Sequence, residues 1–241
     1  MIYNNFALYY DQLMYDFDYD ALYSFVVQIL SMEEVKVQKI LEMACGTGSI
    51  TEKFAKDYYI DAFDNSEQML SLAEEKLRGS KARLFKQDMR DFIPMDTYNV
   101  CLCLCDSLNY ILEEEELAEI FHRVYGSLEE GGIFIFDLNT EEKFLNMDRL
   151  YVDEVEDIVY IWENEFGRTC KKNVYGVNFF RLRKDGLYER WYEEHIERAY
   201  DSKLILKFLK DSGFHGIKVY NGYKFDPNYQ KAYRQVYIAR R

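Results

Sequence analysis

Two rhythms of apolar and polar positions divide this 241-residue chain. Through roughly its first 140 residues, short apolar runs alternate with amphipathic stretches. Val37–Met43, Tyr59–Phe63, Arg83–Lys86, Tyr98–Cys105 and Ile133–Leu138 read as buried strands. Between them, residues 19–31 set Leu22, Phe25, Val26 and Ile29 on one helical face. Ser49–Asp57 reads as a second helix, and Ser66 caps a third that reaches Leu77. Glu113–Leu128 forms a fourth, with acidic residues at its start and Gly131-Gly132 as its stop signal. Strand–helix alternation of this kind predicts a parallel, doubly wound α/β sheet.

After residue 140 the period shortens to two. Residues 157–166, 173–184 and 187–198 read as consecutive antiparallel strands, with Lys184-Asp185-Gly186 as one turn. Ser202–Ser212 then returns to helix, and Ile217–Tyr220 and Gln235–Ala239 close the chain as strands. The expected architecture is a Rossmann-like seven-stranded sheet with helices on both faces. Its core comprises residues 1–140 and 201–241, and residues 141–200 are an inserted β-meander. Such an insertion lies where α/β proteins place a ligand crevice and its cover. One meander face is expected to pack on the core. The other is expected to serve as a lid or to contact a second copy in a homodimer.

Composition narrows the function. A net charge of −13 disfavours a general nucleic-acid binder, which needs clustered Lys and Arg. A neutral or cationic small molecule suits it better. No apolar run approaches membrane-spanning length, and the first residues lack the basic start of a signal peptide. Of five cysteines, Cys101, Cys103 and Cys105 alternate within one apolar run. No second Cys/His group accompanies them, so they are expected to share a face as strand packing, with no metal site. Unpaired thiols and no export signal suggest a cytoplasmic protein.

The chemistry starts at Glu42-Met43-Ala44-Cys45-Gly46-Thr47-Gly48, between an apolar strand and a helix. Gly46 and Gly48 permit a tight turn and a close backbone approach to a ligand. A dinucleotide fingerprint needs a third glycine, and Thr51 stands in its place. Asp64, at the end of the second strand, can accept hydrogen bonds from two ribose hydroxyls. The loop alone leaves a nicotinamide-dependent oxidoreductase open as an alternative.

Taken in order, these segments resemble class I S-adenosylmethionine-dependent methyltransferases. The matching words are Leu41–Gly48, Asp64–Leu70, Gln87–Arg90, Asp106–Tyr110 and Gly131–Asp137. The opening Tyr3–Met14 and the segment Glu193–Tyr200 resemble a subgroup of small bacterial methyltransferases. The resemblance implies S-adenosylmethionine as cofactor. Ala44, Cys45, Gly46 and Gly48 would hold its methionine part, with Tyr3 and Tyr10 closing over the carboxylate. Asp64 would take the ribose, with Asn65 beside the adenine and Met69 as a further cofactor-binding residue. Asp88 would accept from the adenine amino group, and Met89 would cover the ring. Leu104 and Cys105 would lie near the sulfonium.

Methyl transfer from a sulfonium needs alignment and water exclusion more than a base. Where a base acts, Asp106, Tyr110, His195 and Glu194 are the candidates. Arg181, Arg183, Arg190 and Arg198 on the meander could meet an anionic acceptor or pair with its glutamates. The expected activity is methyl transfer to a small molecule. RNA or protein methylation, or a non-catalytic cofactor-binding regulator, are the alternatives.

Overall fold

A computed structural model describes residues 6–241. The elements follow in the order α1 (Phe6–Leu13), α2 (Tyr19–Met32), β1 (Lys39–Met43), α3 (Ser49–Phe54), β2 (Tyr59–Asp64), α4 (Glu67–Lys76) and β3 (Ala82–Lys86). Next come β4 (Tyr98–Cys103), a 3-10 turn (Ser107–Tyr110), α5 (Glu114–Ser127), β5 (Leu128–Asn139) and α6 (Glu141–Asn146). The meander is β6 (Leu150–Val155), β7 (Ile158–Gly167), β8 (Lys172–Leu182) and β9 (Tyr188–Arg198). Last are α7 (Ser202–Asp211), β10 (His215–Asn221) and β11 (Arg234–Arg240).

Seven strands form one sheet in the order β10-β11-β5-β4-β1-β2-β3. All neighbouring pairs from β3 to β5 are parallel, whereas β11 pairs antiparallel with both β5 and β10. Period-two alternation sorts the sheet's side chains between two cores. Leu41, Met43, Cys101, Cys103, Phe134 and Phe136 pack with α5 and α7 on one face. Ile40, Ile60, Leu102, Ile133 and Ile135 pack with α2 and α3 on the other. Strand order reverses between β1 and β4, which opens a crevice beyond their carboxyl ends.

Local chemistry sets the helix starts. Ser66 accepts from the Met69 N–H and caps α4, as its sequence signature predicts. Asp18 does the same for α2 through the Ala21 N–H. Helix α5 ends at Ser127, and β5 begins at Leu128. Gly131-Gly132 is therefore not the helix stop but part of a long strand, where the β4–β5 register shifts between Tyr98 and Val100. The expectation that three cysteines share a face is also corrected. Cys101 and Cys103 do so, but Cys105 lies beyond the strand end with φ +58° and packs at the edge of the opposite core.

The meander is a separate antiparallel sheet, β6-β7-β8-β9, inserted between β5 and α7. It has four strands rather than three. The first, Leu150–Val155, is mostly exposed, so it lacks the clean in–out alternation of the others. Its inner face carries Ile158, Tyr160, Val177 and Phe179, which meet Ala7 of α1 and Met69 of α4. Helix α1 is thus wedged between the meander and the main sheet. Buried Asn109 joins the layers further along: its Nδ2 donates to the carbonyls of Asn139 (2.9 Å) and Arg198 (2.8 Å).

Candidate cofactor and acceptor site

The crevice at the carboxyl end of β1 is lined on its loop side by Glu42, Ala44, Cys45, Gly46, Thr47, Ser49 and Ile50. Leu104, Cys105 and Ser107 line the β4 side, and Tyr10 and Tyr19 close it from the amino-terminal helices. The loop's conformation explains its composition. Ala44 (φ +54°), Gly46 (φ +54°) and Gly48 (φ +79°) are all left-handed. A side chain at Gly48 would press on Leu77 and Ala73 of α4 at 3.1–3.2 Å, so this glycine lets loop and helix pack closely. At Gly46 a Cβ would meet nothing within 4 Å, leaving backbone open towards the crevice.

Asp64 fixes this loop. Its Oδ2 accepts from the Gly46 N–H (2.9 Å) and its Oδ1 from the Ser66 N–H (2.8 Å). The Asn65 N–H adds to these, and the carboxylate keeps acceptor capacity for a further donor. Burial raises its pKa, and the loop N–H groups partly offset that rise. Helix α1 is fastened over the loop through Asp11. Thr47 Oγ1 donates to Asp11 Oδ1 (2.5 Å), and Lys76 Nζ reaches Asp11 Oδ2 and Ser49 Oγ, both at 2.8 Å.

Glu42 was not singled out from sequence as a site residue. It is 3% exposed, lines the crevice floor, and its Oε2 has no hydrogen-bond partner among the described residues. Burial pushes its pKa to about 8, with Asp64 adding to the rise and Thr51 opposing it. A buried acid with a free oxygen suits a ligand that brings a cation. The signal was an acidic residue in an otherwise apolar strand, two positions before the left-handed turn.

Six predicted cofactor residues line this crevice: Tyr10, Ala44, Cys45, Gly46, Leu104 and Cys105. Gly48 and Asp64 act behind the wall. Asn65 Nδ2 donates to Asp88 Oδ2 at 3.1 Å. Asp88 also receives the Arg90 backbone N–H and two guanidinium N–H groups. Those four donors fill its four acceptor positions as arranged here, and the Arg90 hydrogen bonds hold its pKa below the usual carboxylate value. Met89 packs against the core beside Cys103. Met69 is not brought to the crevice; it is buried beneath α1 and the meander. Tyr3 lies outside the described residues.

Of the predicted catalytic candidates, Asp106, Tyr110 and His195 gather on the β4–β5 side, where β9 crosses, whereas Glu194 falls on the opposite face of β9 from His195. Tyr110 Oη is 3.5 Å from His195 Nδ1, and their rings meet edge to face. His195 is buried, with Nε2 3.6 Å from Glu193 Oε2. Asp106 (φ +54°) stands apart from that pair in a second group. Arg234 of β11 bridges it (2.8 Å) to Asp137, and Asn139 Nδ2 donates to both Asp106 (2.8 Å) and Glu197 (3.0 Å). Tyr223 Oη caps Asp137 at 3.0 Å.

Burial pushes Asp106 up, but Arg234 and Lys143 outweigh it and hold its pKa below the normal value. Burial and the Asp106 charge raise Glu197 to about 8, so it carries a proton at neutral pH. Asp137 and Glu197 were missed in sequence because they lie on strands read for packing, and Asn139 and Arg234 because they fall one residue outside the strands read as Ile133–Leu138 and Gln235–Ala239. The four meander arginines singled out from sequence are engaged with protein groups: Arg181 with Tyr9 and Asp157, Arg183 with Asp185, Arg190 with Asn178, and Arg198 with Glu114.

Comparison with known proteins agrees with this geometry. Residues 40–132 match the family model described as a methyltransferase domain. A Geobacillus sp. protein, named as a candidate methyltransferase, is 30% identical over 247 residues and all of both chains. A crystal structure of an S-adenosylmethionine-dependent methyltransferase from Clostridium acetobutylicum superposes with a TM-score of 0.88 at 32% identity, covering 99% of this chain and 98% of that one. A Streptomyces venezuelae dTDP-3-amino-3,4,6-trideoxy-α-D-glucopyranose N,N-dimethyltransferase is 30% identical over 121 residues, half of each chain. Seven-strand order, left-handed glycine loop and full-length kinship converge: the chain belongs to the class I S-adenosylmethionine-dependent methyltransferases.

Proposed function

We propose that this enzyme methylates an amine nitrogen of a small-molecule acceptor by direct displacement. The observation carrying this reading is the Tyr110–His195 pair, set where β4, β5 and β9 meet and where Asn139 also joins Asp106 to Glu197. An imidazole beside a phenol suits a nitrogen that must lose a proton, and the amino-sugar relative acts on that kind of acceptor. Arg181, Arg183 and Arg198 are each paired with a carboxylate of the protein, which fits an acceptor recognised as an amine rather than as an anion.

Bound S-adenosylmethionine supplies an electrophilic sulfonium methyl. Glu42, ionised on meeting a cation, would hold the ammonium of its methionine part. Asp64 would take the ribose hydroxyls, and the open backbone at Gly46 would accommodate the chain between them. Tyr10 and Tyr19 would exclude water from above. In the displacement, the acceptor nitrogen forms the N–C bond as the C–S bond breaks, and the pair from that bond stays on sulfur. The methylated nitrogen then sheds a proton, for which Tyr110 and His195 offer an adjacent hydroxyl and imidazole.

The test is a panel of amine-bearing small molecules, amino sugars included, incubated with methyl-labelled S-adenosylmethionine beside hydroxyl counterparts. Label in amines and not in their hydroxyl counterparts supports the reading. Label only in RNA or protein fractions, with none in the panel, would overturn it.

A further inference from the structure

We infer that the outer face of the meander is the docking surface for a second copy of this chain. This face sets apolar side chains among charged ones and lies outside the buried clusters of the described residues. Val152, Val159, Ile161, Phe180, Tyr192 and Ile196 point away from the inner-face residues and join none of the buried clusters. Val152 and Tyr192 are 55% and 50% exposed, beside Leu150 at 58% and Leu182 at 43%. Contiguous apolar surface of this kind marks an interaction site. Strands β7, β8 and β9 have 10 or 11 residues. At ~3.3 Å per residue and ~4.8 Å between strands, the flat face covers roughly 600 Å² before side-chain relief. A standard interface buries about 800 Å² per partner.

The face is complementary to itself. Cross-strand register aligns Val152, Ile161, Asn178 and Tyr192 in one row across all four strands. A two-fold axis along that row turns each strand end over the other, as an isologous contact requires. Arg190 and Glu194 stand two residues either side of Tyr192, so each arginine meets the partner copy's carboxylate. Phe180 and Gly176 stand two residues either side of Asn178, and the Tyr192 ring covers Gly176, so each Phe180 meets the partner copy's Tyr192 ring. Arg190 is already set on this face, bonded to Asn178 Oδ1 and lying over the Phe180 ring at 5.9 Å. Glu163 and Glu165 add negative charge at the Glu194 end, while Lys184 adds positive charge at the Arg190 end. Glu154 tempers the charge at the latter end, and at the former Lys172 and Arg198 are already paired with Glu113 and Glu114. The opposite face of β9 carries His195 and Glu197, so docking would brace the strand that completes the acceptor site.

Size-exclusion chromatography with light scattering at tens of micromolar tests this. The wild-type protein is expected at twice the 29.0 kDa chain mass. Phe180→Glu is expected to run as a monomer with an unchanged circular dichroism spectrum. Arg190→Glu should raise the dissociation constant at least tenfold, and Arg190→Glu with Glu194→Arg should restore the dimer. A monomeric wild type, or a dimer indifferent to both single changes, would overturn the proposal. Where Phe180→Glu fails to fold, the charge-reversal pair decides, because both of its positions are exposed.

Discussion

Glu42 offers a quantitative test of the cofactor site, because its proton and a cationic ligand compete for one buried oxygen. Its pKa of about 8 in the free protein means that some ten molecules in eleven carry the proton at pH 7. A ligand whose ammonium pairs with Glu42 must drive that proton off. The cost is about 1.4 kcal/mol at pH 7 and about 2.7 kcal/mol at pH 6. S-adenosylmethionine affinity should therefore rise about ninefold from pH 6 to pH 7, with about 0.9 proton released per ligand at pH 7. This window lies below the range in which an α-amino group loses its own proton, near pH 8.

Calorimetry in buffers of different ionisation enthalpy reads the proton directly. Asp64 and the Cys45, Cys103 and Cys105 thiols are also coupled to Glu42, and Glu42→Gln separates their contribution. The variant should bind more weakly at pH 7 and lose the slope. Equal affinity at both pH values in the wild type, with no proton released, would refute the assignment. The sign for folding is opposite to that for binding. A carboxyl raised from 4.5 to about 8 favours the folded state while protonated, so its contribution is lost as pH rises across that interval. Ligand-free Glu42→Gln should accordingly melt higher than the wild type at pH 8.

Three further outcomes follow from named contacts. Asp64→Ala should weaken S-adenosylmethionine binding more than about tenfold by calorimetry, given ~1.5–3 kcal/mol for a hydrogen bond to a charged group; unchanged affinity would remove the ribose role. Ala44 pays a left-handed strain of about 1–2 kcal/mol, so Ala44→Gly should melt no lower than the wild type and Ala44→Val several degrees lower, by scanning calorimetry. Asn109→Ala breaks the bonds joining the β4 turn to Asn139 and Arg198. It should lower the melting temperature and hasten amide exchange in β9, whereas unchanged exchange would show that the meander is held elsewhere.

The main sheet was legible in the sequence because its strands are apolar runs of even length separated by amphipathic helices. Ser66, predicted as a cap, caps α4. The glycine loop was legible because left-handed geometry restricts residue choice at Gly46 and Gly48. At Ala44 the match came from order along the chain, since its left-handed backbone is not evident from an alanine. Strand β6 was hidden because a mostly exposed edge strand has no alternation to show. Cys105 was misplaced because periodicity extends a strand through residues that the backbone turns away. Arg234, Asp137 and Glu197 were invisible for a different reason. Each belongs to a strand whose neighbours dominate the pattern, and their meeting depends on β11 and β9 converging on one end of β5. Long-range pairing of that kind leaves no local signature.

The account of the cofactor site is tested most directly by a crystal structure of this chain with S-adenosylhomocysteine. The ligand's ammonium is predicted within hydrogen-bond distance of Glu42 Oε2, its ribose hydroxyls on Asp64, and its sulfur beside the Cys105–Ser107 turn. A ligand bound elsewhere, or one in this crevice with Glu42 still unpartnered, would contradict it.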